Sequence, residues 1–578
     1  MVARVALNRV NGEDSARPQG IAPTKFPYTE QPMTVHKDTS PQTPINWYEA
    51  SLPLKERKSK GHFSTPPALV EQILDACGYT PNADISTMRV LDPACGSGNF
   101  LAATARRLLN HCELAHLTPE MQTTLLQHNI WGFDPDPISC LLAEMQMSAI
   151  SGRNELRPYD FRPHIHQGDA LALPWHEPCV DLFLANPPYL AAKNTDLSGY
   201  RATQRGQTDS YLLFLNLGLR IVRPNGWLGL VVPDPLLARA NATPERTLLL
   251  HEYTIHHLWH LDAVFPAHVG AVVLIAQKCP PPSTHHIAWT RTKWPIPVNL
   301  EPSSPSHNLT EPLNIKHDSS TIPQTLLARQ PHAEFRYLLS REPGSFIERL
   351  RSYLGEDSKA SRHFAPLSNF LSIRRGEELG QTSPHLLHTS HKPDEPAQDD
   401  QQWYPVLRGG RDVRPYTITF NDCWIARNAI VKPLARYLSP KLLVVKSTDR
   451  LQAALDTEGH VALQTLYLLQ LCQLDAREDD LYFYVALLNS RLLQMYTYML
   501  HTAYKWVQPQ IEQHVLARLP VPLVSIGEKQ AIIERAKLLS HTRPCDDTTP
   551  VVEWREHMQQ LYAEQERAVR ALYNAAIP

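Results

Sequence analysis

Between Lys58 and Lys278, short apolar runs alternate with stretches whose apolar residues recur at helical spacing. Met88–Asp92, Ile130–Asp134, Asp181–Ala185, Trp227–Pro233 and Ala271–Ala276 are apolar runs of strand length bounded by turn residues. Asn99–His111, Pro137–Ser148 and Tyr211–Val222 lie between them, and in the first of these Leu101, Ala105 and Leu108 fall on one helical face. A continuous apolar run marks a strand buried on both sides. Strand–helix alternation of this kind predicts an α/β unit, a parallel sheet covered by helices on both faces.

The pattern stops at three places. Residues 1–57 mix Pro, Thr, Gln and charge without a period, which predicts a partly disordered tail before a domain over 58–278. Residues 279–332 open with Cys279-Pro280-Pro281-Pro282 and later carry Glu301-Pro302-Ser303-Ser304-Pro305-Ser306, the composition of a Pro/Ser-rich linker. A second unit is expected over 333–545, with a polar acidic break at His391–Gln402 read as an exposed loop. In 546–578, Trp554, Met558, Leu561, Val569 and Leu572 recur at helical spacing and predict a last helix. With 578 residues and 43% hydrophobic content the chain is long enough for more than one core.

Charge and cysteine usage narrow the classes. The net charge of −2 gives no global attraction to nucleic acid, so a nucleic-acid surface must be a local patch. Nine cysteines without a Cys-x-x-Cys pair argue for a reducing compartment and against a zinc site or disulfide framework. The 27 histidines form no metal-ligating pattern, and no metal is expected. The start of the chain lacks a charged segment followed by an apolar core, so no leader is expected, and no apolar run is long enough for a membrane span. A cytoplasmic location follows as an expectation.

Chemistry first shows at Val90-Leu91-Asp92-Pro93-Ala94-Cys95-Gly96-Ser97-Gly98-Asn99-Phe100, which reads as strand, glycine turn, helix. Gly96 and Gly98 allow a sharp turn and close approach of a ligand. A phosphate site would use Gly-Lys-Ser/Thr or a third glycine at dinucleotide spacing, and neither is present. Asp92 at the strand end repels phosphate but accepts hydrogen bonds from an ammonium or hydroxyl. S-adenosylmethionine carries a sulfonium cation, an amine and ribose hydroxyls. Asp134 ends the next predicted strand, where an acid takes ribose hydroxyls. Asp169, in His166-Gln167-Gly168-Asp169-Ala170, is placed to accept from the cofactor's adenine amine. Any one of these acids alone reads better as a helix cap or turn residue. Three in order at successive strand ends favour a site.

The strand at Asp181–Ala185 then runs into Asn186-Pro187-Pro188-Tyr189. Prolines donate no N–H and have fixed φ, so their carbonyls can face a ligand, and Tyr189 offers a flat ring to a heteroaromatic base. The amine of adenine is a weak nucleophile because its lone pair is delocalised. Acceptors off the ring plane, the Asn186 side-chain oxygen and the Pro187 carbonyl, hold its hydrogens and favour a pyramidal nitrogen. Asn is not a base near neutral pH, so proton loss follows transfer.

These motifs together resemble the N6-adenine DNA methyltransferases of the gamma class, the TaqI-like group. The resemblance covers about Lys58–Lys278 closely. Gly61-His62-Phe63-Ser64-Thr65-Pro66-Pro67 is similar to the segment that closes over the cofactor's methionine end, with Ser64 where the family often has an aromatic. Asp209-Ser210-Tyr211-Leu212-Leu213-Phe214 is similar to the helix that helps line the cofactor pocket, and Val264-Phe265-Pro266 to the segment whose Phe packs on the extruded base. Outside that context Phe265 reads as an ordinary core aromatic. Farther on, Arg374–Gly380, Pro405–Val413, Leu487–Leu492, Leu519–Pro522 and Glu564–Tyr573 are similar to TaqI-like specificity domains. The resemblance implies a Rossmann-like S-adenosylmethionine-dependent methyltransferase domain with a C-terminal α+β target-recognition domain. It implies Thr65, Pro66, Asp92, Ala94, Cys95, Gly96, Gly98, Phe100, Asp134, Asp169, Ala170 and Asn186 as cofactor residues. It also implies Asn186, Pro187, Pro188 and Tyr189 as the catalytic set, with Tyr189 and Phe265 stacking on the flipped adenine.

Double-stranded DNA is the implied partner. From Tyr404 to Arg450 nine Lys/Arg stand against three acids, with Arg408, Arg411, Arg414, Arg427 and Lys432 the proposed contacts and Trp403, Tyr404, Tyr416 and Trp424 interleaved. A solvated basic face is the plain reading of such a stretch in isolation; beside a methyltransferase core it becomes a phosphate-contact surface. A restriction endonuclease or defence-system protein is the further implied partner, and a monomer is expected. The same tetrapeptide serves enzymes that methylate a glutamine amide in proteins or an amine in RNA, but those need no large C-terminal unit. N4-cytosine enzymes usually begin the tetrapeptide with Ser or Thr. A fused endonuclease-methylase would show a Pro-Asp…Glu-x-Lys pattern, which is not found, and a non-catalytic binder would not need Asp92 and Asn186 together.

Overall fold

The computed structural model describes residues 48, 51–53, 56–57, 63–151, 162–175, 178–190, 209–262, 264–265, 270–293, 318–354, 363–379, 387–388, 402–473, 476–505, 509–541 and 551–577. Most of the expected tail, Gly61, His62, Pro266, residues 301–306 and residues 391–401 lie outside them. The chain forms two compact units, 1–295 with 323–333 and 296–322 with 334–578.

The first unit carries strands β1 (Val90–Asp92), β2 (Ile130–Asp134), β3 (His164–Gln167), β4 (Val180–Ala185), β5 (Val222–Pro233), β6 (Thr254–Asp262), β7 (Ala271–Gln277) and β8 (His286–Lys293). Its longer helices are α1 (Pro67–Ala76), α2 (Asn99–Leu114), α3 (Pro119–Asn129), α4 (Pro137–Ser151), α5 (Ser210–Ile221) and α6 (Thr243–Glu252). The strands lie in the order β3-β2-β1-β4-β5-β7-β6-β8. β1 pairs in parallel with both β2 and β4, so the order reverses there and the loops after β1 and β4 border one crevice.

Two expectations need correction. The sheet is mostly, not wholly, parallel, because β7 runs antiparallel to both β5 and β6. Only residues 263–270 separate β6 from β7, too few for the dozen or so that a parallel crossover needs. The stretch read as a linker, 279–332, supplies β8, which pairs in parallel with β6. Ile287 and Trp289 are each 1% exposed, a period-2 strand signal masked by the flanking prolines. The end of that stretch is also structural. Gln324 bonds the Leu250 and Tyr253 carbonyls at 3.0 and 2.7 Å, and the fully buried Arg246 donates to the carbonyls of His332 and Ala333 at 2.9 and 3.1 Å. Part of the expected tail touches the domain as well: Tyr48 donates to Asp136 at 3.3 Å.

In the second unit Leu371–Arg375, Leu466–Leu471, Lys441–Val445 and Ala453–Asp456 form an antiparallel sheet in that order. A second sheet holds Leu387–His388, Trp424–Ala426, Trp403–Leu407 and Val461–Ala462. Val406, Ile425, Leu443 and Leu468 share one core. Helices Asp480–Asn489, Arg491–Leu500 and Ile526–His541 follow. The last helix, Val551–Ala576, packs into this unit through the fully buried Tyr573, whose hydroxyl donates to the Pro520 carbonyl at 2.6 Å. No helix among the described residues is long and apolar enough to cross a membrane.

Candidate active site

The turn after β1 is fixed by glycine. Gly96 and Gly98 sit at φ +52° and +92°, and Gly98 begins α2 in the left-handed conformation. A Cβ on Gly98 would meet Ala143 Cβ of α4 at 2.8 Å, so space as well as φ requires glycine there. The loop is pinned to β2, with Cys95 N donating to the Phe133 carbonyl and Gly96 N to Asp134 Oδ2, both at 2.9 Å.

A cavity of about 240 Å³ opens at this crevice. Thr65, Asp92, Ala94, Cys95, Gly96, Phe100, Asp134, Asp169, Ala170 and Asn186 line it together, from sequence positions more than a hundred residues apart. Pro66 and Gly98 do not. Pro66 precedes α1 as its cap residue, and Gly98 turns toward α4. Ser210, Leu213 and Phe214 of α5 complete the wall, with Leu190, Leu171 and Pro135.

Each acid is placed by short local bonds. Asp92 is 1% exposed and accepts from Ala94 N at 3.1 Å. Burial pushes its carboxyl up to about 8, against the pull of that N–H, and the nearby Asp134 adds to the rise. Asp134 accepts from Gly96 N and Asp136 N, each at 2.9 Å, through different oxygens. Asp169 caps a short 3₁₀ turn by accepting from Leu171 N at 2.9 Å.

Asn186 donates its Nδ2 to the Phe63 carbonyl at 2.7 Å. A carbonyl only accepts, so this bond fixes which end of the amide is which. The Asn186 side-chain oxygen is left without a hydrogen-bond partner among the described residues, in a residue that lines the cavity. The segment Phe63–Pro66 is held over the cavity by two further bonds, Ser64 Oγ to Ser97 Oγ at 3.3 Å and Asn99 Nδ2 to the Thr65 carbonyl at 2.9 Å. Tyr189 and Phe265 meet edge to face with centroids 6.2 Å apart, and Phe63 lies 6.1 Å from Phe265. Burial, with Asp234 nearby, holds the Tyr189 hydroxyl well above the usual phenol range, so the ring is neutral.

The lining fits S-adenosylmethionine in its chemistry. Asp92, Asp134 and Asp169 offer acceptors to an ammonium, hydroxyls and an amine, while Leu171, Leu190 and Phe214 offer apolar surface to an adenine ring. Thr65 Oγ1 is buried with no partner among the described residues, a polar atom that a ligand in this cavity would satisfy. No group of three metal-ligating side chains occurs among the described residues.

The proposed DNA-contact residues divide in the structure. Arg411, Arg414 and Arg427 are exposed, while Arg408 is half-buried beside Asp412. Lys432 turns inward, its ammonium donating to the Arg375 and Gly376 carbonyls. Lys441, which the charge count places in the patch, is fully buried in an ion pair with Asp456 at 2.6 Å. Tyr416 is also buried, against Tyr562. A cleft that the sequence does not announce lies in the same unit, lined by Arg375, Lys446, Gln510, Gln513 and His514 with Tyr467 in its wall. Its cations and amides are the residue types that contact phosphates and base edges.

The comparisons define the class. Residues 48–280 match the N-6 DNA Methylase family and residues 404–521 the TaqI-like C-terminal specificity domain. The first stretch is thus similar to N-6 DNA methylases and the second to TaqI-like specificity domains. Among its relatives is the type II methyltransferase M.VspI of Vibrio sp. (strain 343), 25% identical over 191 residues, covering 32% of this chain and 40% of that one. The type II methyltransferase M.PaeR7I of Pseudomonas aeruginosa is 26% identical over 210 residues, covering 34% and 36%. The chain thus spans less than half the length of these curated relatives. The fold of the type IIL restriction-modification enzyme MmeI, solved in complex with DNA, matches over 92% of this chain and 78% of that one, with a TM-score of 0.61 and 13% identity.

Proposed function

We propose that this protein transfers a methyl group from S-adenosylmethionine to the N6 amine of an adenine extruded from double-stranded DNA, in a restriction-modification setting. The observation that carries the reading is Asn186, which lines the cavity of the three acids with its amide fixed by the bond to Phe63 and its oxygen unpartnered among the described residues. Bound cofactor supplies a methyl group on a sulfonium cation. Asp92 holds the cofactor's amine, Asp134 its ribose and Asp169 its adenine amine. The Asn186 oxygen and the Pro187 carbonyl accept from the target amine, hold its lone pair toward the methyl group, and stabilise the positive charge that develops on nitrogen. No described group at the amine is a base near pH 7, so the proton leaves after transfer. Extruding the base costs a few kcal/mol, and stacking on Tyr189 and Phe265 returns about 1–3 kcal/mol per base. Arg411, Arg414 and the cleft at Arg375 and Lys446 meet the DNA backbone and base edges.

The test uses the full chain, unmethylated plasmid and cofactor labelled in its methyl group, followed by modification-sensitive sequencing. N6-methyladenine at one recognition sequence is expected. Asn186→Ala abolishes incorporation while cofactor still binds by calorimetry. Label appearing in protein or RNA and not in DNA overturns the reading.

A further inference from the structure

We infer that Ser210 is a positioning residue that sets the geometry of the methyl acceptor site. The inference rests on the methyl-transfer reading above. Pro187 and Pro188 have no N–H, so the loop from Asn186 to Tyr189 lacks two of the donors that usually anchor a turn. Ser210, 4% exposed and first residue of α5, supplies the restraint. Its N–H donates to the Leu190 carbonyl at 2.9 Å. Its hydroxyl accepts from Leu190 N at 3.0 Å and donates to the Pro188 carbonyl. One residue thus holds the far end of the loop by three hydrogen bonds, while Asn186 Nδ2 on the Phe63 carbonyl holds the near end.

The pattern also divides the two proline carbonyls. Pro188 is engaged by Ser210, whereas the Pro187 carbonyl has no partner among the described residues. The Pro187 carbonyl, although Pro188 and not Pro187 lines the cavity, is therefore the proline acceptor with both lone pairs open to the target amine beside Asn186. Without the Ser210 hydroxyl the Pro188 carbonyl loses its donor and Leu190 N its acceptor, and the peptide planes of the loop are free to rotate. The Pro187 carbonyl then shifts relative to the Asn186 oxygen, whose amide stays bound to Phe63. Ser210 touches no reacting atom in this scheme; it acts through the loop.

The experiment compares Ser210→Ala and Ser210→Thr with the wild type, measuring single-turnover methyl transfer to DNA and cofactor affinity by calorimetry. The expected result for Ser210→Ala is a transfer rate lower by roughly 10- to 100-fold, the scale of an ångström of misplacement. Cofactor affinity should fall much less than the rate, because the Ser210 hydroxyl, though in the cavity wall, is engaged by Pro188 and Leu190. Ser210→Thr, which keeps the hydroxyl, restores most of the rate. A wild-type rate in Ser210→Ala overturns the inference. So does a rate loss accompanied by an equal loss of cofactor affinity and no rescue by Thr, which would mark a purely structural residue. Failure of the wild type to methylate any DNA would instead count against the methyl-transfer reading itself.

Discussion

At the scale of single residues, Asp92 makes the most specific statement about conditions. Its carboxyl is pushed up to about 8 by burial, so at neutral pH the ligand-free protein holds a proton there that the unfolded chain has lost. Between the ordinary value of 3.8 and about 8 the folded form binds the extra proton, so this group's contribution to stability falls as pH rises through that window and is flat above it. A cationic ligand needs the ionised form. Cofactor affinity is therefore expected to rise with pH up to about 8, with release of one proton on binding below it. Calorimetry in two buffers of different ionisation enthalpy measures that proton. Asp92→Asn should remove both the released proton and the stability trend; a pH-independent affinity in the wild type would refute the assignment of Asp92 to the cationic end. The residues that carry this chemistry are legible in the sequence because they follow apolar runs directly, as Asp92 follows Val90-Leu91 and Asn186 follows Phe183-Leu184-Ala185. Their partners are not legible. The Phe63 carbonyl lies 123 residues from Asn186, and no local pattern signals that bond.

At the scale of elements, the turn between β1 and α2 separates two uses of glycine. Gly96 and Gly98 both need positive φ, but a Cβ on Gly96 meets nothing within 4 Å, whereas one on Gly98 strikes Ala143. Gly96→Ala should cost about 1–2 kcal/mol, the conformational term alone. Gly98→Ala adds overpacking of about 1–3 kcal/mol against α4. Urea denaturation of the two variants should separate them in that order; equal costs would show that α4 yields. β1, β2, β4, β5 and β7 were legible because each is an apolar run; the His-rich β3 and β6 were not, and neither was β8. Its inward residues Ile287 and Trp289 alternate with polar ones inside a segment whose prolines spell a linker. The direction of β7 was equally hidden, since apolar content does not record whether a strand runs up or down.

At the scale of the whole molecule, a chain of net charge −2 must meet a polyanion through local cations. Arg411 and Arg414 are exposed near the short pair of strands Val413–Arg414 and Thr417–Ile418. Replacing both with alanine should weaken DNA binding and lower the slope of log affinity against log salt by about 2, with cofactor affinity unchanged. An unaltered slope would move the contact surface elsewhere, the cleft at Arg375 and Lys446 being the alternative in the same unit. The charge count falls within the stretch that matches the TaqI-like specificity domain but could not tell a surface cation from a buried one. Lys441 and Lys432 carry the same letter as Lys446, yet the first neutralises Asp456 and the second binds backbone carbonyls.

β7 has a consequence for how the protein is made. It follows β5 and β6 in the chain but lies between them in the sheet. A nascent chain therefore exposes the bare edge of β5 until Gln277 has left the ribosome. The strand that fills the gap, Ala271-Val272-Val273-Leu274-Ile275-Ala276, has no charge and no proline, and every one of these residues is fully buried in the finished fold. Such a hexapeptide is the kind that self-associates when exposed. Until β7 docks, this strand and the β5 edge are an aggregation hazard of the kind that holding-type chaperones cover.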